Sequence, residues 1–150
     1  MVPAAAILQA YLDEISVAVM TGDFAAYRAG VVLPFHLVTH TENLTFTTDD
    51  DLREGFESFC AMLRSQRVTD YIRLVESAQA LDPNLITGRY ISHIISGGMR
   101  VFDPFPSQTT LRRIEDRWKA ASISNAVAKA RWPLLGASPA KPDLQKGPEE

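Results

Sequence analysis

A single cysteine, Cys60, in 150 residues excludes an internal disulfide and any metal centre built on several thiolates. Blocks of like charge are also missing. Fifteen Lys and Arg stand against eighteen Asp and Glu, for a net charge of -3. The signs are interspersed, so no basic footprint argues for nucleic acid and no acidic block for a basic partner. No apolar run approaches the length of a membrane-spanning helix, so no membrane association is expected. The first basic residue is Arg28, so the positive segment that opens a signal peptide is lacking. The cytoplasm is the expected setting, and the Asn43-Leu44-Thr45 sequon is coincidental there. The sequence contains no P-loop, dinucleotide fingerprint, HExxH, CxxC or GxSxG. Nucleotide, metal and nucleophilic-serine chemistry are disfavoured, and no cofactor is expected.

What is present is ordinary globular material, with 46% hydrophobic and 22% charged residues in a chain of one-domain length. Leu8, Tyr11, Leu12, Ile15 and Val19 recur at the spacing of an amphipathic helix over residues 4–20. Gly22 suits the left-handed residue that closes it, and Asp23 can cap a short second helix ended by Gly30. Pro34 leads into an extended segment. Phe35 to Thr41 and Leu44 to Thr47 read as a hairpin around Glu42-Asn43.

Thr48 with Asp49, Asp50 and Asp51 offers a cap and acidic charge at the start of a third helix reaching Arg67. Its buried stripe is Leu52, Phe56, Phe59, Cys60 and Leu63, so Cys60 reads as a core residue. From Asp70 the period becomes two. Strands are expected over Asp70–Leu81, Leu85–Ser96, Gln108–Glu115 and Trp118–Val127. Asp82-Pro83-Asn84, Gly97-Gly98 and Glu115-Asp116-Arg117 punctuate them. Four of the nine prolines fall in residues 133–150. A single domain over residues 1–135 with a disordered tail at 136–150 is therefore expected.

Helices gathered before a mostly antiparallel sheet imply an α+β fold with the helices on one face. Twisted strands can curl around about three N-terminal helices and leave a pocket between the layers.

The element order resembles the nuclear-transport-factor-2-like superfamily, which includes ketosteroid isomerases, scytalone dehydratase and SnoaL-type cyclases. The matching parts are Thr21-Gly22-Asp23-Phe24, the Phe35–Thr47 hairpin and the aspartate-capped helix Asp49–Arg67. The closing Arg112-Arg113-Ile114-Glu115-Asp116-Arg117-Trp118 matches too. Together they cover residues 5–128. The resemblance implies a cone-shaped half-barrel around an apolar pocket for a small hydrophobic molecule, in a homodimer formed through the sheet. It implies an isomerase, dehydratase or cyclase working by proton transfer, or alternatively a non-catalytic binding or interaction module.

His40 falls near the position where ketosteroid isomerases carry their general-base aspartate, and a histidine can move protons near neutral pH. His40 is thus the candidate catalytic residue, although this chain departs from the family there. His36 shares a strand face with His40. At strand rise the two are about 13 Å apart, too far to chelate one ion, so His36 stands as a ligand-binding candidate. On the long strand, Arg89, Ile91 and His93 share one face, and Tyr90, Ser92 and Ile94 the other. Periodicity does not decide which looks inward. Arg89 and His93 would bind an anionic or carbonyl group from one face, and Tyr90 would offer a hydroxyl from the other.

Overall fold

A computed structural model of the chain describes residues 2–39 and 42–125. The proposed tail at 136–150 and His40 lie outside the described residues. The elements are α1 (Ala4–Thr21), α2 (Phe24–Ala29), β1 (Val31–Val38), β2 (Asn43–Phe46), α3 (Asp49–Ser65), β3 (Asp70–Asp82), β4 (Leu85–Ser96), β5 (Met99–Arg100), β6 (Phe105–Ile114) and β7 (Arg117–Asn125).

Helix α1 buries Leu8, Tyr11, Leu12, Ile15, Ala18 and Val19 along one stripe. Gly22 closes it at φ 72°, where a side chain would be strained. Asp23 then caps α2 by accepting from the Ala26 N–H at 3.1 Å. By length and composition α1 would also suit a membrane crossing, which corrects the reading that no run approaches that length. Its buried stripe belongs to the protein core instead. Helix α3 is capped by the Thr48 hydroxyl, which accepts from the Asp51 N–H at 3.0 Å. Three aspartates in its first turn meet the positive end of the helix dipole. The Cys60 thiol donates to the Val19 carbonyl at 3.3 Å. Burial pushes its pKa up, so it joins α3 to α1 as a core group rather than a nucleophile.

The seven-stranded sheet runs β2-β1-β7-β6-β4-β3, with β5 paired to β4. Among the described strands, only β1 and β7 pair in parallel. The helices pack on one face of this curved sheet, and α1 comes closest. A Cβ on Gly88 would lie 2.3 Å from Leu8 Cδ2, so glycine at that point sets how near α1 approaches β4. Gln9 secures α1 to edge strand β3: its amide donates to the Arg73 carbonyl at 2.7 Å and its Oε1 accepts from the Val75 N–H at 3.0 Å. That covers an edge which would otherwise offer unpaired backbone groups.

Two of the sheet's register shifts reset which residues face inward near the helices. One falls between Val75 and Ser77 of β3, the other at Ala121 of β7, between the Leu111↔Ala120 and Thr110↔Ser122 pairs. Glu115 and Asp116 both have positive φ, 54° and 63°, the geometry of the tight hairpin turn joining β6 to β7. Strand β6 starts at Phe105, earlier than Pro104 and Pro106 suggest. Phe105 and Pro106 pair with Ser92 and Ile91 of β4, which extends the strand back to that point.

Candidate functional site

Between the helices and the inner face of the sheet lies a cavity of about 70 Å³. Ile15 and Val19 of α1, Phe35 and Leu37 of β1, and Phe59 of α3 make much of its wall apolar. Into that wall the fold brings every tyrosine of the chain, Tyr11, Tyr27, Tyr71 and Tyr90, together with Arg73.

Each arrives by a local rule. Tyr11 sits on the buried stripe of α1, and its hydroxyl donates to the Gly30 carbonyl at 2.6 Å. Tyr27 projects from α2 against Phe56, with ring centroids 4.8 Å apart. Tyr71 and Arg73 are two apart on β3 and therefore share a face; Tyr90 and Ser92 do the same on β4. The bulge at Ala121 turns Ile123 and Asn125 inward, where unbroken alternation from Ala120 would have chosen Ser122 and Ser124. Asn125 accepts a hydrogen bond from the Ser107 hydroxyl.

Arg73 is 4% exposed and has no carboxylate partner among the described residues. The four ion pairs of the described residues join Arg28 to Asp49, Arg89 to Glu76, Arg113 to Asp116 and Arg117 to Glu14. Arg73 instead donates from Nη2 to the Leu12 carbonyl at 2.9 Å and from Nη2 and Nε to the Ser16 hydroxyl at 3.1 and 3.3 Å. Its Cζ lies 4.8 Å from the Tyr71 ring centroid and 5.7 Å from that of Tyr90, a cation–π arrangement. Burial favours the neutral guanidine, but the facing tyrosines outweigh it and the net push is upward. The guanidinium stays charged.

The same burial pushes the pKa of Tyr11, Tyr27 and Tyr90 above the ordinary tyrosine value. For Tyr90, Arg73 and the Ser107 hydroxyl pull the other way without reversing it. At neutral pH these phenols are therefore uncharged hydrogen-bond donors. Among the described residues no Asp, Glu or His lines the cavity. The described wall can hold negative charge and donate protons to hydrogen bonds, but it offers no ordinary base.

Several sequence candidates sit elsewhere. Arg89 is on the outer face of β4 and pairs with Glu76 at 2.7 Å. His93 shares that outer face, 3.4 Å from the Arg100 guanidinium. His36 is exposed on β1, 3.3 Å from the Thr45 hydroxyl. The structure thus places the ligand-binding candidates Arg89, His93 and His36 away from the cavity wall: alternation along β4 and β1 turns them outward. Tyr90 is the candidate on β4 that lines the cavity. Reading the sequence missed Arg73, Tyr27 and Tyr71. The available signal was an arginine two residues from a tyrosine and two from Val75 in one strand, a polar group set within an otherwise hydrophobic face.

No family model and no curated protein matches the chain. Solved structures do match. An NTF-2 like protein of unknown function from Shewanella oneidensis MR-1 is 11% identical, with 81% of this chain and 98% of that one covered and a TM-score of 0.66. An NTF2-like protein with a cystatin-like fold from Novosphingobium aromaticivorans is 12% identical, with 87% and 86% covered and a TM-score of 0.61. An NTF2-like protein of unknown function from Pseudomonas putida KT2440 is 12% identical over 93% and 96% of the two chains, at a TM-score of 0.60. Likeness at such identities speaks for the fold and carries no reaction with it.

Proposed function

The chain has the nuclear-transport-factor-2-like fold, and we propose that its enclosed cavity binds a small, mainly apolar molecule. The observation that carries this reading is a mostly apolar wall with a few convergent polar groups, the usual make-up of a ligand site. Ser92 is 2% exposed and lines the cavity, so Ser92→Leu should fill it. A thermal-shift screen of small acids, ketones and alcohols should give hits with the wild type that Ser92→Leu loses while keeping its circular dichroism. Hits that bind the filled variant equally well would sink the reading.

Binding without catalysis is favoured by the lack of a base among the described wall residues. The catalytic version is an isomerase, dehydratase or cyclase in which His40 takes the proton. It draws support from β1, whose Phe35 and Leu37 line the cavity a few residues before His40 in the sequence. Once a substrate is found, His40→Ala should abolish turnover and spare binding; unchanged turnover removes His40 from the mechanism.

The same reading makes the protein a homodimer through the outer face of the sheet. Ile72 and Leu74 of β3 support this, being 42% and 51% exposed side by side on that face. Light scattering should give a dimer at micromolar concentration that Leu74→Asp converts to a monomer. A wild-type monomer would contradict the proposal. A cytoplasmic location accords with the free, buried thiol of Cys60, and cell fractionation tests it.

A further inference from the structure

Resting on the cavity being a small-molecule site, we infer that its ligand is a short carboxylate whose negative group sits against Arg73. Among the groups on the wall, Arg73 is the one whose surroundings do not account for its charge. An enclosed ion without a counter-ion is among the costliest groups a fold can carry. The Arg73 bonds to Leu12 and Ser16 explain why the Nε–Nη2 side of the fork lies on α1. Tyr90 adds a hydrogen bond to the guanidinium, and all of these partners are neutral. Tyr71 and Tyr90 offer ring faces, which temper a cation without neutralising it. A carboxylate would supply the missing charge and accept from the cavity side of the guanidinium.

A second observation points the same way. Tyr27 is partly buried and lines the cavity, and its hydroxyl has no hydrogen-bond partner among the described residues. As a neutral phenol it can only gain by donating to an acceptor brought into the cavity, and a carboxylate has two oxygens to share between Tyr27 and Arg73. The rest of the wall is aliphatic and aromatic, so the remainder of the ligand should be hydrocarbon. Size sets the scale: about 70 Å³ is roughly half the 150 Å³ of an engineered cavity that holds benzene. A short, branched chain suits it better than a ring.

The test compares isobutyrate with isobutyramide, which match in shape and differ in charge, by isothermal titration calorimetry on the full chain. We expect isobutyrate to bind at least about tenfold more tightly than the amide. In Arg73→Met that ratio should fall to near one, and Tyr27→Phe should weaken isobutyrate several-fold while leaving the amide less affected. Equal binding of acid and amide by the wild type overturns the carboxylate inference and leaves the cavity reading standing. If neither compound binds at millimolar concentration, both fail. Should Arg73→Met not fold by circular dichroism, the wild-type acid-to-amide ratio and the Tyr27→Phe titration decide.

Discussion

Gly88→Ala should destabilise the protein through one contact, and the size of the effect can be worked from the packing of α1 on β4. The added Cβ would lie 2.3 Å from Leu8 Cδ2, 3.0 Å from the Ser77 carbonyl oxygen and 3.3 Å from the Ala78 Cβ. Attractive carbon contacts begin near 3.5 Å, so Leu8 would have to retreat by about an ångström. It is 0% exposed and has nowhere to go, while the Ser77 carbonyl belongs to the neighbouring strand. Overpacking of this kind costs about 1–3 kcal/mol. Replacing a strand glycine returns roughly 0.5 kcal/mol through the unfolded chain. The net loss should be about 0.5–2.5 kcal/mol, which moves the urea midpoint down by about 0.3–1.2 M for a domain with an m-value near 2 kcal/mol/M. Leu8→Ala alone should cost about 2–5 kcal/mol by leaving a cavity. In the double variant the alanine methyl takes up vacated space, so the two losses should sum to less than their separate values by about 1 kcal/mol or more. Urea unfolding followed by far-ultraviolet circular dichroism measures all four corners of the cycle. A Gly88→Ala protein as stable as the wild type, or strictly additive losses, would refute the view that Leu8 and Gly88 fix the seat of α1.

Other consequences follow from the same packing. Tyr11, Tyr27 and Tyr90 have raised pKa values in the fold because burial disfavours the phenolate, so the native state holds these protons more tightly than the unfolded chain. Stability should be unaffected by them below the ordinary tyrosine value of 10.0 and should fall as pH rises beyond it, by up to about 1.4 kcal/mol per pH unit for each. Absorbance at alkaline pH should show them ionising together with unfolding; free titration in the intact fold would contradict their burial. Gln9→Ala should cost about 1–3 kcal/mol, because the Arg73 carbonyl and the Val75 N–H at the sheet edge both lose their partner. Hydrogen exchange at Val75 should quicken in step. Thr48→Ala should cost about 1 kcal/mol by removing the α3 cap, whereas Asp49→Asn should change stability by less, since its pair with Arg28 is solvent-exposed.

Elements were legible where a strong local signal acts alone. The apolar stripe and glycine stop of α1, the capped acidic start of α3 and the turn at Glu115-Asp116 all lie where the sequence puts them. The span Leu85–Ser96 of β4 is also as read. The alternation of Arg89, His93 and Tyr90 was legible as well, but only as two faces. Which face turned inward depended on α1 docking over Gly88, a contact between residues eighty apart. The bulge at Ala121 shifted parity where no local residue announces it, so Ile123 and Asn125 entered the cavity unforeseen. Arg73 was overlooked because charge in a strand ordinarily means a solvated face.

By itself, the sequence determined the kinds of element, their order and thereby an α+β fold, because helix and strand periods, caps and turns are written within a few residues of one another. The site was decided by tertiary structure alone. Tyr11, Tyr27, Tyr71, Arg73 and Tyr90 come from two helices and two strands, and only the curl of the sheet around the helices gathers them on one cavity. Burial then makes the phenols neutral donors and leaves Arg73 a charge without a counter-ion among the described residues. Those properties belong to the enclosed space rather than to any segment of the chain.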